Sequence, residues 1–368
     1  MIRYLAGPEK KKACPLWEQA FPEDVPEFLD YYNRNVLPGN RVLVYEEAGA
    51  VRGMIHRNPY QIQAGSRIWN SEYIVGVATD AAFRRQGIMA SLLTRCLADA
   101  GSEQMPLVFL MPVSETIYRP FGFATVYAQP QWEMTEADYR RFLASLPGIQ
   151  WEPLAPSSAA EAAACANGVL ARRYDCFVRQ NPAHLVQLQE ELALDHGCTV
   201  IGRSVSDRRI QLMFSQIREG RHILLADLIC VPEPSSSMPL TEKLLASFRR
   251  KDTPLIMIRP ADIKVFLEMF QSESDGAFTL ALQVTDPAFP AFAQTWKWQF
   301  HDGISCAAPA GEETAPVRLS IPALTRWLFG AESLSRLIRS GEISASPQQT
   351  ELMEQVAVFH GFRANDTV

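Results

Sequence analysis

The run Val75-Gly76-Val77-Ala78-Thr79-Asp80-Ala81-Ala82-Phe83-Arg84-Arg85-Gln86-Gly87-Ile88-Met89-Ala90 constrains this chain more than any other feature. A short apolar strand over Tyr73 to Thr79 leads through a loop with two arginines and a glycine into a helix expected over Gly87 to Ala100. On that helix Leu92, Leu93, Cys96 and Leu97 recur at helical spacing. Pro106 to Val113 (PLVFLMPV) then reads as a second buried strand. Strand, loop, helix, strand is a crossover connection, so the two strands are expected to be parallel neighbours. The loop also carries chemistry. A helix N-terminus offers unpaired N–H groups and a positive dipole end, and a glycine at its entry lets backbone approach a pyrophosphate closely. The alternative for so short a motif is an ordinary solvated helix cap.

With 368 residues, 47% of them hydrophobic, the chain exceeds one typical domain and can bury a sizeable core. Composition shifts at Pro153 to Ala164, at Pro232 to Pro239 (PEPSSSMP) and at Gln271 to Gly276 suggest three domains, near residues 1–130, 131–279 and 280–368. Arg41 to Glu46 and Val51 to His56 flank Ala48-Gly49-Ala50 as a hairpin would. The middle stretch predicts helices over Ala159 to Arg173 and Pro182 to Leu194, then strands over Arg209 to Ile217 and Ile223 to Val231 around Gly220. The last region predicts strands over Phe278 to Val284, Trp296 to Phe300 and Val317 to Ile321. A helix opens at Pro322, with Leu324, Trp327 and Leu328 on its apolar face. The fold class is therefore α/β (α+β).

Several function classes are disfavoured. A net charge of -6 argues against nucleic acid, which needs a basic surface, and mildly favours cationic substrates. No stretch approaches the about 18 apolar residues of a membrane span, and the Lys10 to Lys12 start lacks a signal-peptide core, so a cytoplasmic protein is expected. The seven cysteines are scattered without a C-x-x-C pair, which predicts free, mostly buried thiols. The histidines lack zinc-type spacing, so no metal is expected.

The loop resembles the acetyl-CoA signature of the GNAT superfamily, Q/R-x-x-G-x-G/A, with Arg84 and Gly87 at the first two fixed positions and Met89 where a small residue is usual. WEQAFPED near the start, YIVGVATDAAFRRQGIM, and SETIYRPFGFATVY after the next strand together resemble the enhanced intracellular survival (Eis) acetyltransferases across residues 1 to 130. The central region lacks any R-x-x-G signature, which fits that family's degenerate second GNAT-like domain. LTRWLFGAESLSRLIRSGEISAS is similar to its sterol-carrier-like C-terminal domain.

The resemblance implies roles for particular residues. Val77, Ala78 and Thr79 would lie on a splayed strand whose backbone meets the pantetheine arm of acetyl-CoA. Arg84, Arg85, Gln86, Gly87, Ile88, Met89 and Ala90 would ring the pyrophosphate, and Ser114 and Glu115 fall where the family also touches coenzyme A. The family has one more residue between that serine and its tyrosine than SETIY provides. Tyr118 matches the general acid, since a phenol can share a proton with a leaving thiolate; its alternative is a turn aromatic packed on the sheet. The α-carboxylate of Val368 matches the general base, and the tail FRANDTV departs from the family by lacking a terminal aromatic. A frayed terminus is the alternative.

Other features carry plainer readings. Trp296, Trp298 and Phe300 alternate as core, and Glu18, Glu23, Asp24, Glu27 and Asp30 form an acidic stretch that is a solvated helix face or a wall for a polyamine. The resemblance implies direct acetyl transfer to a small polycationic acceptor, aminoglycoside or polyamine-like, by a homohexamer. The rivals are a protein-lysine acetyltransferase and a lipid or small-molecule binding protein built on the C-terminal domain.

Overall fold

The computed structural model describes residues 1–231, 245–274, 276–311 and 316–364. The Pro232 to Pro239 loop and Val368 lie outside the described residues. The chain divides into two compact units, one of Met1–Asp24, Leu37–Tyr127 and Leu255–Phe362, the other of Val25–Val36, Ala128–Pro254 and Arg363–Val368.

In the first unit, β1 (Ile2–Leu5) pairs antiparallel with β2 (Arg41–Glu47), and α1 (Cys14–Ala20) lies between them in sequence. Helix α2 (Pro26–Tyr31) belongs to the second unit. β2 continues through the expected turn into β3 (Ala50–Ala64), which pairs with β4 (Arg67–Thr79). The β3–β4 hairpin is longer than the sequence signals, because β4 begins well before Tyr73. Helix α3 (Ile88–Ser102) then crosses to β5 (Leu107–Leu110), which pairs parallel to β4 as the crossover rule requires. The Ile88, Leu92, Leu93, Cys96, Leu97 and Ala100 face of α3 is buried. Each fully buried leucine on that face contributes about 1.5–3 kcal/mol as an upper estimate.

β5 leads into α4 (Glu115–Tyr118) and a 3-10 turn, Arg119–Phe121, before β6 (Ala124–Thr135). The second unit holds the later part of β6, then α5 (Glu136–Ala144), β7 (Ile149–Pro153), α6 (Ala159–Arg173), β8 (Cys176–Val178) and α7 (Pro182–Leu194). β9 (Cys198–Ser204), β10 (Ile210–Glu219) and β11 (His222–Cys230) complete its main sheet. There β7, β9, β10, β11 and β6 pair antiparallel in that order. Phe142 of α5 packs with Phe214 and Leu225 on one face. Ala162, Ala166 and Leu170 of α6 and Leu185 of α7 pack with Ile201 and Met213 on the other.

β12 (Arg249–Pro260) returns the chain to the first unit, where Met257 to Pro260 pair antiparallel with β5. After β13 (Gln271–Ser272) come β14 (Phe278–Thr285), β15 (Gln294–His301), β16 (Ile304–Pro309), β17 (Val317–Ser320) and β18 (Ile343–Ser344). These last five form a sheet in the order β16-β15-β14-β17-β18. Its alternating inward residues, Leu280, Leu282, Val284, Trp296, Trp298 and Phe300, are buried, as the period of two predicts. The Trp298 ring meets Trp327 of the helix Ile321–Leu328 at 6.3 Å.

No disulfide links any of the seven cysteines. Cys96, Cys176 and Cys230 are buried, Cys14, Cys165 and Cys198 are partly buried, and Cys306 is exposed. No helix among the described residues is long and apolar enough to cross a membrane.

Candidate acyl-transfer site

β4 and β5 pair at Glu72↔Val108 and Tyr73↔Phe109, and β4 then runs on through Ile74 to Thr79. On its other side β4 follows β3, with Met54 opposite Ala78 and His56 opposite Val75, so one extra residue of β4 bulges between them. The bulge holds Gly76 at φ +58°, and a Cβ there would lie 2.4 Å from the Trp17 ring. Trp17 is itself fixed, its indole N–H donating to Asp24 at 2.7 Å. Helix α1 thereby packs on β4 at the bulge, just before Val77, Ala78 and Thr79, which run on beyond the pairing with β5. Sequence reasoning recorded Trp17 and Asp24 inside WEQAFPED but gave neither this task. Their signal is a long-range contact with a glycine, which no periodicity carries.

After Thr79 the loop is shaped by its own polar groups. Asp80 accepts from the Ala82 N–H at 3.0 Å and from Arg52 Nη1 at 2.7 Å, and the Arg52 guanidinium sits 4.5 Å over the Phe83 ring. The Arg52 pair and the Ala82 N–H hold the Asp80 carboxyl below the ordinary carboxylate range, the backbone bond being the larger cause. Arg84 Nε donates to the Thr79 carbonyl at 3.3 Å, and Arg85 adopts φ +60°. Gly87 is the N-cap of α3 at φ +78°, with no side-chain cap, and a Cβ added there would meet nothing within 4 Å. Arg84, Arg85, Gln86 and Gly87 are exposed. The entry to α3 is therefore an exposed helix N-terminus without a side-chain cap beside two cationic side chains, which is an arrangement for an anion. Ile88, just inside the helix, packs where Gly53 of β3 leaves no room for a side chain; a Cβ there would sit 2.6 Å from Ile88.

The third element follows β5. Ser114 precedes α4, its hydroxyl 2.8 Å from that of Thr116. Glu115 accepts from the Thr125 hydroxyl and from Arg119 at 3.0 Å, and those partners, Thr125 first, lower its pKa. The Glu115 carboxylate is thus committed inside the turn. Tyr118 is partly buried, edge-on to Phe123 at 5.9 Å. Burial pushes its phenol up to about 12, so it keeps its proton at neutral pH. A thiolate of pKa about 8.5 is less basic than that, so the phenol is suited to donating a hydrogen bond to developing sulfur charge rather than surrendering its proton outright.

The acidic stretch divides by environment. Glu18 and Glu23 are exposed, whereas Asp24 is half-buried and holds Trp17, burial raising its pKa. At the other end of the first unit, Phe362 is buried with its ring 5.7 Å from Phe109 of β5, which stacks on Tyr73 at 5.3 Å. Among the described residues, no group of three His, Cys, Asp or Glu side chains is placed to hold a metal ion.

Comparison with known proteins bears on the domains and the fold. The acetyltransferase (GNAT) domain family matches residues 1–126, and the sterol carrier protein domain family matches residues 263–360. No curated protein matches the chain. Among solved structures the chain is similar to a probable N-acyltransferase of Enterococcus faecalis V583, at 14% identity and a TM-score of 0.79 over 100% of this chain and 99% of the other. A GCN5-related N-acetyltransferase from Anabaena variabilis matches at 17% identity and 0.78, over 99% of each chain. Eis1 from Mycobacterium abscessus matches at 16% identity and 0.70, over 97% of this chain and 96% of the other. At these identities the likeness is one of fold along the full length.

Proposed function

The chain is a GNAT-family N-acetyltransferase with a sterol carrier protein domain at residues 263–360, and on that premise we propose that it moves the acetyl group of acetyl-CoA directly onto amines of a small polycationic acceptor, aminoglycoside or polyamine-like. The observation that carries this reading is the end of the β4–β5 pairing at Tyr73↔Phe109, with β4 running on to an α3 start that has no side-chain cap and the Tyr118 turn following β5. In this reading the backbone of Val77, Ala78 and Thr79 aligns the pantetheine arm. Arg84 to Ala90 hold the pyrophosphate, and the Ser114–Glu115 segment lies against coenzyme A through its backbone, since the Glu115 side chain is engaged by Thr125 and Arg119.

The chemistry needs one base and one proton donor. The acceptor ammonium gives one proton to the base and its nitrogen bonds to the acetyl carbon; as the carbon–sulfur bond breaks, the second nitrogen proton passes to sulfur by way of Tyr118, whose phenol gives one proton and regains the other, so coenzyme A leaves as the thiol. The base in this reading is the α-carboxylate of Val368, ionised at neutral pH with a pKa of about 3.5. Support comes from Phe362, whose ring packs on Phe109, where the β4–β5 pairing ends; from there the remaining chain can reach at most about 20 Å. The central region, residues 131–279, is read as the degenerate GNAT-like domain, and the assembly as a homohexamer.

Thiol release from acetyl-CoA with spermine, kanamycin and a lysine peptide, followed by mass analysis of the acceptor, tests the reading. Release with spermine or kanamycin and a gain of acetyl groups supports it. Release with the peptide alone moves the acceptor to protein lysine, and no release from folded protein leaves a binding protein.

A further inference from the structure

The sterol carrier protein domain reaches back to the turn that carries Tyr118. Arg259, at the end of β12 and opposite Val108 of β5, is 1% exposed. Its Nη2 donates to the carboxylate of Asp286, in the loop after β14, and that side chain is also 1% exposed. The other carboxylate oxygen accepts from the N–H groups of Ala288 at 3.2 Å and Phe289 at 3.1 Å, a turn that sets the direction of Phe289. The Phe289 ring lies 4.9 Å under the Arg259 guanidinium and stacks on Phe121 at 6.2 Å with 22° between planes.

Phe121 and Gly122 close the turn that begins at Tyr118. The Gly122 N–H donates to the Arg119 carbonyl at 3.0 Å, and the Phe123 N–H donates to the Tyr118 carbonyl at 3.4 Å. Gly122 stands at φ +80°, and a Cβ there would lie 1.8 Å from Arg259 Nη1, so guanidinium and turn are in direct packing contact. Nε and Nη1 of Arg259 have no hydrogen-bond partner among the described residues, so the guanidinium is held by Asp286 on one side and by packing on the other. A buried ion pair is a weak source of stability, because desolvation offsets most of its attraction. What it does supply is direction, since a planar guanidinium between a carboxylate and a ring has little freedom.

We propose that Arg259, Asp286 and Phe289 are positioning residues that hold the Tyr118 turn in register with the acyl-transfer site, which makes the sterol carrier protein domain a structural part of catalysis. The inference rests on the reading of Tyr118 as proton donor. Exposed Thr116, Ile117, Arg119 and Pro120 give the turn little packing of their own, so the Phe121–Phe289 stack and the Arg259–Gly122 contact join the Tyr118–Phe123 contact and the Glu115 bonds in setting where the phenol points. A donor displaced by about 1 Å loses much of its effect.

The test uses Asp286→Asn and Phe289→Leu in the full chain, each alone and combined with Tyr118→Phe, with the amine of the three-compound panel that gives the fastest thiol release. Phe289→Leu leaves the ion pair intact and serves where Asp286→Asn unfolds. The expected result is a kcat lowered about tenfold or more by each single change, with the dissociation constant for acetyl-CoA and the acceptor KM within about twofold. In the Tyr118→Phe background the same changes should lower kcat no further, because they act through the phenol. Wild-type kcat in both folded single variants, with Tyr118→Phe slow, overturns the inference alone. A full additional loss in the Tyr118→Phe background also overturns it, as damage unrelated to the phenol. Tyr118→Phe turning over at the wild-type rate, or wild type releasing no thiol with any of the three amines, removes the reading of the reaction and this inference with it.

Discussion

Tyr118 is a partly buried phenol whose environment, rather than a neighbouring charge, fixes its protonation. Burial disfavours the phenolate, which raises the pKa from 10 to about 12, so the neutral form persists through the range where a free tyrosine would titrate. The alkaline-side consequence is that this group stays largely protonated as pH rises from neutral through 10. The kcat profile at saturating acceptor should therefore show no descending limb centred near pH 10; a limb there would mean that the working donor is an exposed phenol or a different group. Tyr118→Phe removes the donor but keeps the ring that meets Phe123. It should lower kcat by ~10²-fold or more with an unchanged acetyl-CoA dissociation constant. Near wild-type kcat would assign the proton to solvent.

At the scale of elements, the proposed anion site is made by the way β4 ends and α3 begins. Gly87 matters through its backbone conformation: φ +78° is strained for any residue with a side chain, while the space around it is open. Gly87→Val should leave the fold intact, turn the loop and its N–H groups aside, and weaken acetyl-CoA binding about tenfold or more. Titration calorimetry giving the wild-type constant would move the pyrophosphate elsewhere. Much of this element-level structure is legible in the sequence, because it is written in local patterns. Helices α6 and α7 run over the expected Ala159–Arg173 and Pro182–Leu194, and the β4–α3–β5 crossover follows from apolar runs and one glycine. The bulge at Gly76 is not legible, because it depends on Trp17 packing against a strand distant in sequence. Nor is the Arg52–Asp80 pair or the Arg259–Asp286 pair, since a single charged residue in a strand carries no period to betray its partner. The extended end of β3 and start of β4 are missed for a related reason: pairing across a long hairpin recruits polar residues that have no strand pattern of their own.

For the whole molecule, the proposed reaction has a chain of two compact units carry the coenzyme loop, the proton donor and its own terminus as base. The first unit joins the GNAT domain at residues 1–126 to the sterol carrier protein domain at 263–360, so the two families that match are parts of one packed body. Phe362 on Phe109 and Phe289 on Phe121 are two separate places where that body links its last residues to the acyl-transfer elements. The central claim is that this one chain completes an acetyltransferase site with its own C-terminus. It is tested most directly by thiol release from acetyl-CoA in the intact chain and in a chain lacking Thr367 and Val368, with acetyl-CoA binding measured on both. Turnover in the shortened chain should fall by ~10²-fold or more, the scale of a lost general base, while binding stays at the wild-type value. Equal turnover in the two would contradict the claim and place the base in another residue or in solvent.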